Sequence, residues 1–419
     1  MKVLVIGSGG REHALVEALA KSPKTSRLYA APGNGGTRDK AEPVPIPPDD
    51  VEALARFAES NAIDMTVVGP EVPLSLGIVD QLRRRSLPVI GPSADLARIE
   101  GSKTFTKRLC SDHGLPTAAY TVCASAEEAY RILDGSTFPT VVKADGLAAG
   151  KGVVVAATAG EARQAVRDFM ERGTLGEAGS TVVIEEFLAG EEASFHVFAS
   201  GTRFKAMVAS QDHKRRFDGD KGPNTGGMGA YSTDTILSDE EREQVLDQLI
   251  RPTLEATRTY SGILYAGLMK TAEGPKLIEY NVRFGDPETQ VILPRLRTDL
   301  LDVFIAMESG TLDQVELDWR PGASAAVVLV DDTYPGKVES GKKIAGLAEA
   351  AALNDVTVYH AGTRWEDGNV YTAGGRILNV TATGATLEEA LEKAYAAAAL
   401  IDFDGKAYRR DIGQKGLKR

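Results

Sequence analysis

Short apolar runs alternate with amphipathic stretches through the first hundred residues of the chain. The apolar runs lie at 3–6, 65–68 and 88–90, and the segments at 12–20 and 51–60 have helical spacing. A short continuous apolar run followed by a helix is typical of a strand buried on both faces of a parallel sheet. The pattern predicts a parallel α/β domain over residues 1–103.

The middle and the end of the chain mix strand and helix patterns. Strand-like runs at 120–123, 139–143, 153–155 and 181–188 surround helices that begin after Ser125 and near Glu161, and another capping box begins a long helix at Ser238. We expect one mixed unit over residues 104–310, with a lid subdomain at about 120–188. After a linker at 319–322, strands and a helix capped by Thr386 predict a small α+β domain over 323–419. The predicted fold class is therefore multidomain, α/β and α+β.

Composition limits the classes of partner. The 419 residues carry 48 basic and 59 acidic side chains, a net charge of -11, which disfavours binding to nucleic acid or to an anionic membrane surface. No run of about 18 apolar residues predicts a membrane-spanning helix, and the first residues form a strand pattern rather than a signal peptide. Only Cys110 and Cys123 are present, so we expect neither a disulfide scaffold nor a zinc site, and we expect a cytoplasmic protein.

A carboxylate, an amide and a guanidinium are spaced two residues apart at Glu279, Asn281 and Arg283. Alternate residues of a strand face the same side, so these three side chains should point into one cavity. Oxygen donors of this kind suit Mg²⁺, which takes one or two protein oxygens together with substrate phosphates, and an arginine binds carboxylate or phosphate with two parallel hydrogen bonds. The alternative is a solvated polar face of an edge strand.

Two glycine-rich loops are candidate phosphate sites. Gly9 and Gly10 follow the first strand, where N–H groups at a helix N-terminus can hold a phosphate. Glu12 stands where a dinucleotide fingerprint needs a third glycine, so we do not expect an NAD site; a tight turn that only packs helix on sheet is the alternative. The second loop, 146–152, is not a Walker A motif, and we interpret it as a flap whose Gly150, Lys151 and Gly152 close over a triphosphate.

Two further groups complete a nucleotide site. Lys143, in the strand before the flap, would reach the same phosphates. The strand that ends at Glu185, Glu186, Phe187 and Leu188 could present main-chain groups to an adenine edge, and Glu192 would then accept from a ribose hydroxyl. Surface lysines on a hairpin and an acidic strand end are the alternatives.

These motifs together resemble a known family. The order of Lys103, Lys143, the flap, the strand end at Glu185 and the Glu-x-Asn-x-Arg motif is similar to the ATP-grasp superfamily. Adding the flanking runs at 7–13, 68–74, 211–215 and 224–229, nearly the whole chain resembles the glycinamide ribonucleotide synthetases. The resemblance implies a pre-ATP-grasp N-terminal domain, a central ATP-grasp fold with a mobile lid, and a small C-terminal domain.

The same resemblance implies a reaction and its residues. Glycine and phosphoribosylamine would be joined with ATP through glycyl phosphate, with Mg²⁺ or Mn²⁺ bound by Glu279 and Asn281 and triphosphate contacts from Lys103 and Lys143. The protein is expected to be a monomer in transient contact with the upstream amidotransferase. The implied catalytic residues are Lys143, Asp212, Lys214 and Arg283, and the implied substrate-binding residues are Gly9, Gly10, Glu71, Asp212, Asn224, Thr225, Gly226, Gly227 and Arg283. His13 and His213 are interpreted as orienting or phosphate-contacting groups, because a neutral amine needs no base.

Three alternatives remain at this point. The nearest is another ATP-grasp ligase or carboxylase that activates a different carboxylate. A nucleotide-sensing protein would keep the lysines but would not need Glu279, Asn281 and Arg283. A dehydrogenase would rest on the first glycine loop alone. The chain also departs from several superfamily members, since 265–269 is apolar where a further metal ligand would stand.

Overall fold

A computed structural model of the protein describes residues 1–148 and 151–418. The N-terminal part is a five-stranded parallel sheet in the order β3-β2-β1-β4-β5, and residues 3–6 of its central strand are fully buried. The predicted domain type is thus observed, although the sequence pattern missed β2 and β3. The strands and helices are β1 (Lys2–Gly7), α1 (Gly10–Ala20), β2 (Arg27–Pro32), β3 (Glu42–Pro43), α2 (Val51–Ser60), β4 (Met65–Val68), α3 (Glu71–Ser75), α4 (Ile78–Arg84), β5 (Val89–Ile90) and α5 (Ala94–Gly101).

The strand order places a crevice at the carboxyl ends of β1 and β4. The chain winds outward from β1 to β3 on one side and from β4 to β5 on the other, so the loops after β1 and β4 diverge at this point. In open parallel sheets, ligands bind at such a switch point. β1 ends at Gly7, Gly69 directly follows β4, and Glu71 begins α3 two residues later.

A four-stranded antiparallel sheet forms the region predicted as a lid. Its strand order is β6-β9-β7-β8, and two helices that are capped by Ser125 and Thr158 cover its apolar side chains. The second helix continues into a π-type segment at Arg167–Glu171. The elements, after helix α6 (Lys103–His113), are β6 (Tyr120–Cys123), α7 (Ala126–Asp134), β7 (Thr140–Ala144), β8 (Val153–Ala156), α8 (Ala159–Val166) and β9 (Val182–Glu186).

A second four-stranded antiparallel sheet forms the central wall. Its order is β11-β10-β16-β17, and it places the Glu-x-Asn strand at one edge. The capping box predicted at Ser238 is present, and the helix after it continues through a π-type segment at Leu246–Ile250. The elements are β10 (Glu191–Ser200), β11 (Arg203–Ala206), α9 (Asp239–Val245), α10 (Arg251–Ala256), β16 (Ser261–Thr271), β17 (Gly274–Asn281), α11 (Thr289–Ile292) and α12 (Leu300–Glu308).

The C-terminal sheet includes two strands from the middle of the chain. Its order is β12-β15-β18-β22-β19, with β23 paired to β18, so residues 211–212 and 229–232 belong to the sheet that the sequence placed wholly after residue 323. Two hairpins, β13/β14 and β20/β21, extend from it. The elements are β12 (Gln211–Asp212), β13 (Arg215–Phe217), β14 (Lys221–Asn224), β15 (Gly229–Ser232), β18 (Ala323–Asp331), α13 (Leu347–Ala351), β19 (Val356–His360), β20 (Thr363–Glu366), β21 (Asn369–Thr372), β22 (Arg376–Gly384), α14 (Leu387–Leu400) and β23 (Lys406–Ala407).

The regions share one apolar core. Buried side chains of β1, of the central sheet and of β18 belong to the same cluster, which holds the three sheets around a common space. The N-terminal and central sheets approach closely at Gly262, where an added methyl group would lie 3.1 Å from the Cα of Gly91. Within the described residues, no helix has the length and apolar character needed to cross a bilayer.

Candidate active site

A cavity of about 1060 Å³ lies between the lid sheet, the central sheet and the crevice of the N-terminal sheet. It collects most of the residues that the sequence singled out. Gly9, Gly10 and Gly227 are not among its lining residues, and Gly150 lies outside the described residues. The predicted residues that line it are Glu71, Lys103, Lys143, Lys151, Gly152, Glu185, Glu186, Phe187, Leu188, Glu192, Asp212, Lys214, Asn224, Thr225, Gly226, Glu279, Asn281 and Arg283.

The Glu-x-Asn strand presents its alternate residues to this cavity, as predicted from their spacing. β17 ends at Asn281, so Arg283 lies just beyond the strand. The neighbouring strand β16 has a glycine, Gly267, directly opposite Glu279. A methyl group on Gly267 would lie 3.3 Å from Glu279 Cγ, so the glycine leaves space for the Glu279 side chain. The edge-strand alternative, with a solvated polar face, does not describe this geometry.

Glu279 is a carboxylate surrounded by cations that it does not contact. Among the described residues, no lysine or arginine nitrogen lies within 4.0 Å of it. Burial raises the pKa of Glu279, but the charges of Lys214, Lys103 and Lys143 outweigh burial and hold the pKa below its ordinary value. The carboxylate is therefore ionised and free to accept a cation.

The donor set fits a hard divalent cation that brings other ligands with it. The described residues contain no group of three or more histidine, cysteine, aspartate or glutamate side chains arranged to hold a metal. Glu279 and the amide oxygen of Asn281 could supply the one or two protein oxygens that Mg²⁺ uses when substrate phosphates complete its shell.

Arg283 is held in place by two acidic residues from the N-terminal region. Its Nη2 donates to Glu100 Oε1 at 2.8 Å and to Asn281 Oδ1 at 3.1 Å, and its Nε lies 3.5 Å from Glu71 Oε2. Glu100 also accepts from the N–H of Val282 at 2.8 Å. Burial lowers the pKa of Arg283, but Glu100 and Glu71 outweigh it and raise the pKa. Nothing in the sequence spacing identifies Glu100, which ends a helix 183 residues before its partner.

Glu185 differs from its predicted role at the adenine edge. Its side chain is buried between two lysines, with Oε2 at 2.9 Å from Lys143 Nζ and 3.3 Å from Lys107 Nζ. The residue lies between two neighbouring strands, and its carbonyl oxygen accepts from the Thr140 hydroxyl at 2.8 Å. Burial lowers the pKa of Lys107 despite the carboxylate beside it. The Glu185 side chain therefore holds two lysines in place, a contact that the sequence missed together with Lys107.

The stretch after Glu185 is the part that remains open to a base. Glu186 gives its N–H to Ala119 O at 2.9 Å and accepts from the Ala119 N–H at 3.0 Å, so its amide and carboxylate are occupied. In the described chain the main-chain groups of Phe187 and Leu188 make no hydrogen bond, and the Phe187 side chain is 42% exposed at the cavity. The edge of an adenine base would therefore form hydrogen bonds with the main-chain groups of Phe187 and Leu188.

Asp212 and Lys214 form a close pair in the cavity. Lys214 Nζ donates to both Asp212 oxygens at 3.0 and 3.2 Å, and it lies 3.7 Å from Glu192. Burial lowers the pKa of Lys214, but Asp212 and the neighbouring acidic side chains outweigh it and raise the pKa. Both residues follow or end β12, the strand shared with the C-terminal sheet, so that sheet sets their position.

The C-terminal domain also holds the 224–227 loop. The Gly226 N–H donates to the Tyr334 hydroxyl at 3.0 Å, and Arg376 donates to the carbonyls of Gly226 and Asp286. Gly227 has a φ of +116°, and a methyl group there would lie 2.5 Å from the ring of Pro287. Gly227 is thus a glycine required by the backbone. The sequence did not indicate Tyr334 or Arg376, since both lie more than 100 residues after this loop.

Most of the chain is similar to the domains of one known protein family. Three family models match in order: the phosphoribosylglycinamide synthetase N domain over residues 1–100, its ATP-grasp (A) domain over 101–289 and its C domain over 324–415. The chain belongs to the phosphoribosylglycinamide synthetase family. The predicted architecture, with an ATP-grasp centre between two smaller domains, is confirmed.

Full-length relatives agree with the family models. A phosphoribosylamine–glycine ligase of Pseudomonas aeruginosa is 50% identical over 426 residues, covering 100% of this chain and 99% of that protein. The crystal structure of phosphoribosylamine–glycine ligase from Thermotoga maritima aligns with a TM-score of 0.84 at 34% identity, covering 98% of this chain and 100% of that one. A biotin carboxylase domain from Hydrogenobacter thermophilus, complexed with MgADP and bicarbonate, shares only the fold, at 15% identity and a TM-score of 0.75 over 97% and 91% of the two chains.

The first glycine loop of this phosphoribosylglycinamide synthetase family member is not an open phosphate cradle. The Gly9 N–H already donates to Glu12 Oε2 at 2.5 Å, a capping box that the Gly-x-x-Glu spacing could have indicated. Glu12 is 2% exposed and fills the switch-point crevice: a methyl group at Gly7 would lie 2.6 Å from Glu12 Cγ. A methyl group at Gly10 would meet Gln290 Nε2 at 2.6 Å. These close contacts favour the packing alternative, and the phosphate role of Gly9 and Gly10 stays a prediction.

The two histidines considered as bases are held elsewhere. His13 Nδ1 accepts from the N–H of His360 at 2.7 Å, so it joins α1 to the C-terminal sheet and does not line the cavity. His213 lines the cavity, but its Nε2 accepts from the Gly413 N–H at 3.2 Å, and burial lowers its pKa to about 4. A neutral, hydrogen-bonded imidazole of this kind orients the chain around Asp212.

Proposed function

We propose that the chain is an ATP-dependent ligase that joins glycine to 5-phosphoribosylamine and forms glycinamide ribonucleotide, ADP and phosphate in purine biosynthesis. Support comes from its full-length similarity to proteins named phosphoribosylamine–glycine ligase. The single observation that carries the chemistry is that Glu279, Asn281 and Arg283 share one cavity with Lys143 and Lys214.

The proposed reaction has two displacements. A carboxylate oxygen of glycine attacks the γ-phosphorus of ATP, the bond to the bridging oxygen breaks, and ADP leaves as glycyl phosphate forms. The neutral amine of phosphoribosylamine then attacks the carbonyl carbon, loses a proton, and expels phosphate to give the amide. Because an unprotonated amine is already nucleophilic, positioning and charge neutralisation are the main demands on the protein.

The nucleotide would lie between the lid and central sheets. Lys103, Lys143 and Lys151 would contact its phosphates, and the lid strand end would hold its base. Glu279 and Asn281 would hold Mg²⁺ or Mn²⁺, which when bound neutralises phosphate oxygens. Glu192 would accept a hydrogen bond from the ribose of the nucleotide. The lysines would neutralise the phosphates and orient them around the cation.

The two other substrates would lie next to the nucleotide in the same cavity. Arg283 and Lys214 would neutralise the glycine carboxylate and the phosphoryl group, with Asp212 fixing Lys214 through the pair at 3.0 Å. Glu71, next to Arg283, would accept from the ribose of phosphoribosylamine. Because the Gly9 N–H is occupied, the contribution of α1 to the sugar phosphate would come from Arg11, which lines the cavity. The 224–227 loop would close this end through Asn224, Thr225 and Gly226.

A product assay tests the proposal. ATP, glycine and freshly made phosphoribosylamine are mixed with the protein, and glycinamide ribonucleotide is measured by mass, with each substrate omitted in turn. ADP release that does not depend on glycine, or that depends on bicarbonate instead, would contradict the proposed reaction. Glu279→Gln should abolish turnover, whereas Glu273→Gln, on the same hairpin but 77% exposed, should not.

The flap offers an independent test of the nucleotide site. Residues 146–152 connect two strands of the lid sheet, and Lys151, which is exposed, lines the cavity. Limited proteolysis should cut this segment in the free protein and slow by about tenfold or more when an ATP analogue and Mg²⁺ are added, because closure removes the open form that proteases cut. Equal cleavage with and without nucleotide would contradict closure of the flap.

The setting of the reaction is part of the proposal. We propose a cytoplasmic monomer that receives phosphoribosylamine through transient contact with the amidotransferase that makes it. Both cysteines are free and buried, which agrees with a reducing compartment. Light scattering at working concentration, with and without the amidotransferase, measures the oligomeric state and the contact.

A further inference from the structure

Glu288 is a buried carboxyl group in the cavity that has no positive partner among the described residues. Glu100, Glu185 and Asp212 each lie within 4.0 Å of a lysine or arginine nitrogen. Glu288 is only 3% exposed and lines the same cavity, yet among the described residues no lysine, arginine or histidine nitrogen lies that close to it. Because a buried carboxylate is costly unless it is paired, its partner is expected to come from outside the protein.

Glu288 is held firmly by neutral donors. The Tyr265 hydroxyl donates to Glu288 Oε1 at 2.7 Å, and the Ser194 hydroxyl lies 3.4 Å from the same oxygen. The Tyr265 ring stacks on His196 with a centroid distance of 4.1 Å, and His196 in turn accepts from the Gly285 N–H at 3.3 Å. One oxygen of Glu288 is thus positioned by the protein through neutral hydroxyl groups.

The surrounding charge favours a cation at this position. Burial raises the pKa of Glu288, and the carboxylate of Asp212 raises it further, although Lys214 acts in the opposite direction. Burial and the Asp212 carboxylate therefore disfavour a negative charge on Glu288. A cation placed between Glu288 and Asp212 would offset this cost for Glu288.

We propose that Glu288 binds the ammonium group of the amino-acid substrate, with Asp212 as its neighbour. The proposal rests on the proposed function and deepens it. Glycine is a zwitterion whose ammonium nitrogen is two bonds from the carboxyl carbon, so both ends must lie in one cavity. If Arg283 and Lys214 neutralise the carboxylate, the ammonium needs a carboxyl group close by that is not already bonded to a cation. Glu288 meets that requirement, whereas Glu279 lies on the strand proposed to hold the metal.

Glu288→Gln tests the proposal, because it keeps the size of the side chain and removes the charge. The KM for glycine should rise by at least about tenfold, the loss expected for a hydrogen bond between charged groups, and the KM for ATP should stay within about twofold. Glu241→Gln is the matched control. Glu241 is a half-buried carboxyl group in the first turn of α9 and does not line the cavity, and a glutamine there can still accept from the Ser238 N–H.

A substrate without the ammonium group distinguishes binding by Glu288 from a purely structural role of Glu288, because a structural defect would affect both substrates equally. Glycolate carries a hydroxyl in place of the ammonium, and acyl phosphate formation is trapped by hydroxylamine. The wild-type preference for glycine over glycolate should fall by about tenfold or more in Glu288→Gln, because only glycine loses a partner. An unchanged preference, or an unchanged KM for glycine, would overturn the proposal.

Two further results separate the possible outcomes. If Glu288→Gln traps glycyl hydroxamate normally and only its reaction with phosphoribosylamine slows, Glu288 acts in the second displacement and the proposal is wrong. If the variant fails to bind an ATP analogue, Tyr265→Phe replaces it, and a KM for glycine that does not rise there overturns the proposal. Should the wild-type protein fail to consume glycine at all, the proposed function itself fails.

Discussion

Replacing Arg283 tests how the N-terminal and central regions cooperate. Arg283→Ala removes the hydrogen bond to Glu100 at 2.8 Å and leaves Glu100 and Glu71 facing a cavity without their shared cation. Breaking a buried ion pair costs about 3–5 kcal/mol, and we take the lower end because the Arg283 side chain is 16% exposed. The free energy of unfolding should fall by about 3 kcal/mol at pH 8.

The loss should depend on pH in a defined direction. Burial raises the pKa of Glu100 even with Arg283 present, and without the arginine it should rise further. A carboxyl group whose pKa is higher in the folded protein contributes most stability below its unfolded pKa, about 4.3, and the contribution is lost as the pH rises through the folded pKa. The stability gap between Arg283→Ala and wild type should therefore be small near pH 5 and largest near pH 8.

Urea unfolding across that pH range measures the gap, and ADP release measures turnover, which should fall by about 10²-fold. Arg283→Lys keeps the charge without the two-pronged geometry, so it should recover stability more than turnover. In the double variant with Glu100→Gln, the stability loss should be smaller than the sum of the single losses. Equal losses at pH 5 and pH 8 would refute the charge explanation and leave only lost packing.

Three smaller predictions follow from the same contacts. Gly227→Ala should destabilise the protein by about 1–3 kcal/mol because its φ is +116° and a proline ring stands 2.5 Å away, whereas Gly114→Ala, with no atom within 4 Å, should lose less; chemical unfolding compares them. Glu185→Gln should lower the melting temperature, because it removes the charged partner of two buried lysines. An ATP analogue should reduce the difference in melting temperature between the variant and the wild type, because it supplies negative charge to the lysines. An equal difference with and without the analogue would contradict this. Cys110 and Cys123, whose pKa burial raises to about 11, should react with a thiol reagent at pH 8 only after unfolding, and rapid labelling of the native protein would contradict their burial.

Local patterns predicted the parts of the fold that depend on local physics. The run at 3–6 identified β1 because all four side chains are buried, and Ser125, Ser238 and Thr386 identified helix starts because they accept from the N–H three residues on. β2, at Arg27–Pro32, was missed because it begins with an exposed arginine and ends in proline, which is not a typical strand composition.

The site was predictable where its chemistry lies within one strand. Glu279, Asn281 and Arg283 could be grouped from their spacing because a strand repeats every two residues. Glu100 and Arg376 could not, because they reach the cavity across sheet contacts made by distant parts of the chain. The sequence did not single out Glu288, since only the fold reveals that it is buried and that no lysine, arginine or histidine nitrogen of the described residues lies within 4.0 Å of it.

β12 and β15 belong to a sheet whose middle strand, β18, begins at Ala323. The active site therefore cannot form during synthesis until residues after 322 have been added to the chain. A nascent chain that has emerged only to residue 322 holds the lysines and the Glu-x-Asn strand, but the segment carrying Asp212 and Lys214 still awaits its partner. Two separate chains divided near Trp319 should each lack ligase activity. Activity should return only when both chains are produced together and assemble.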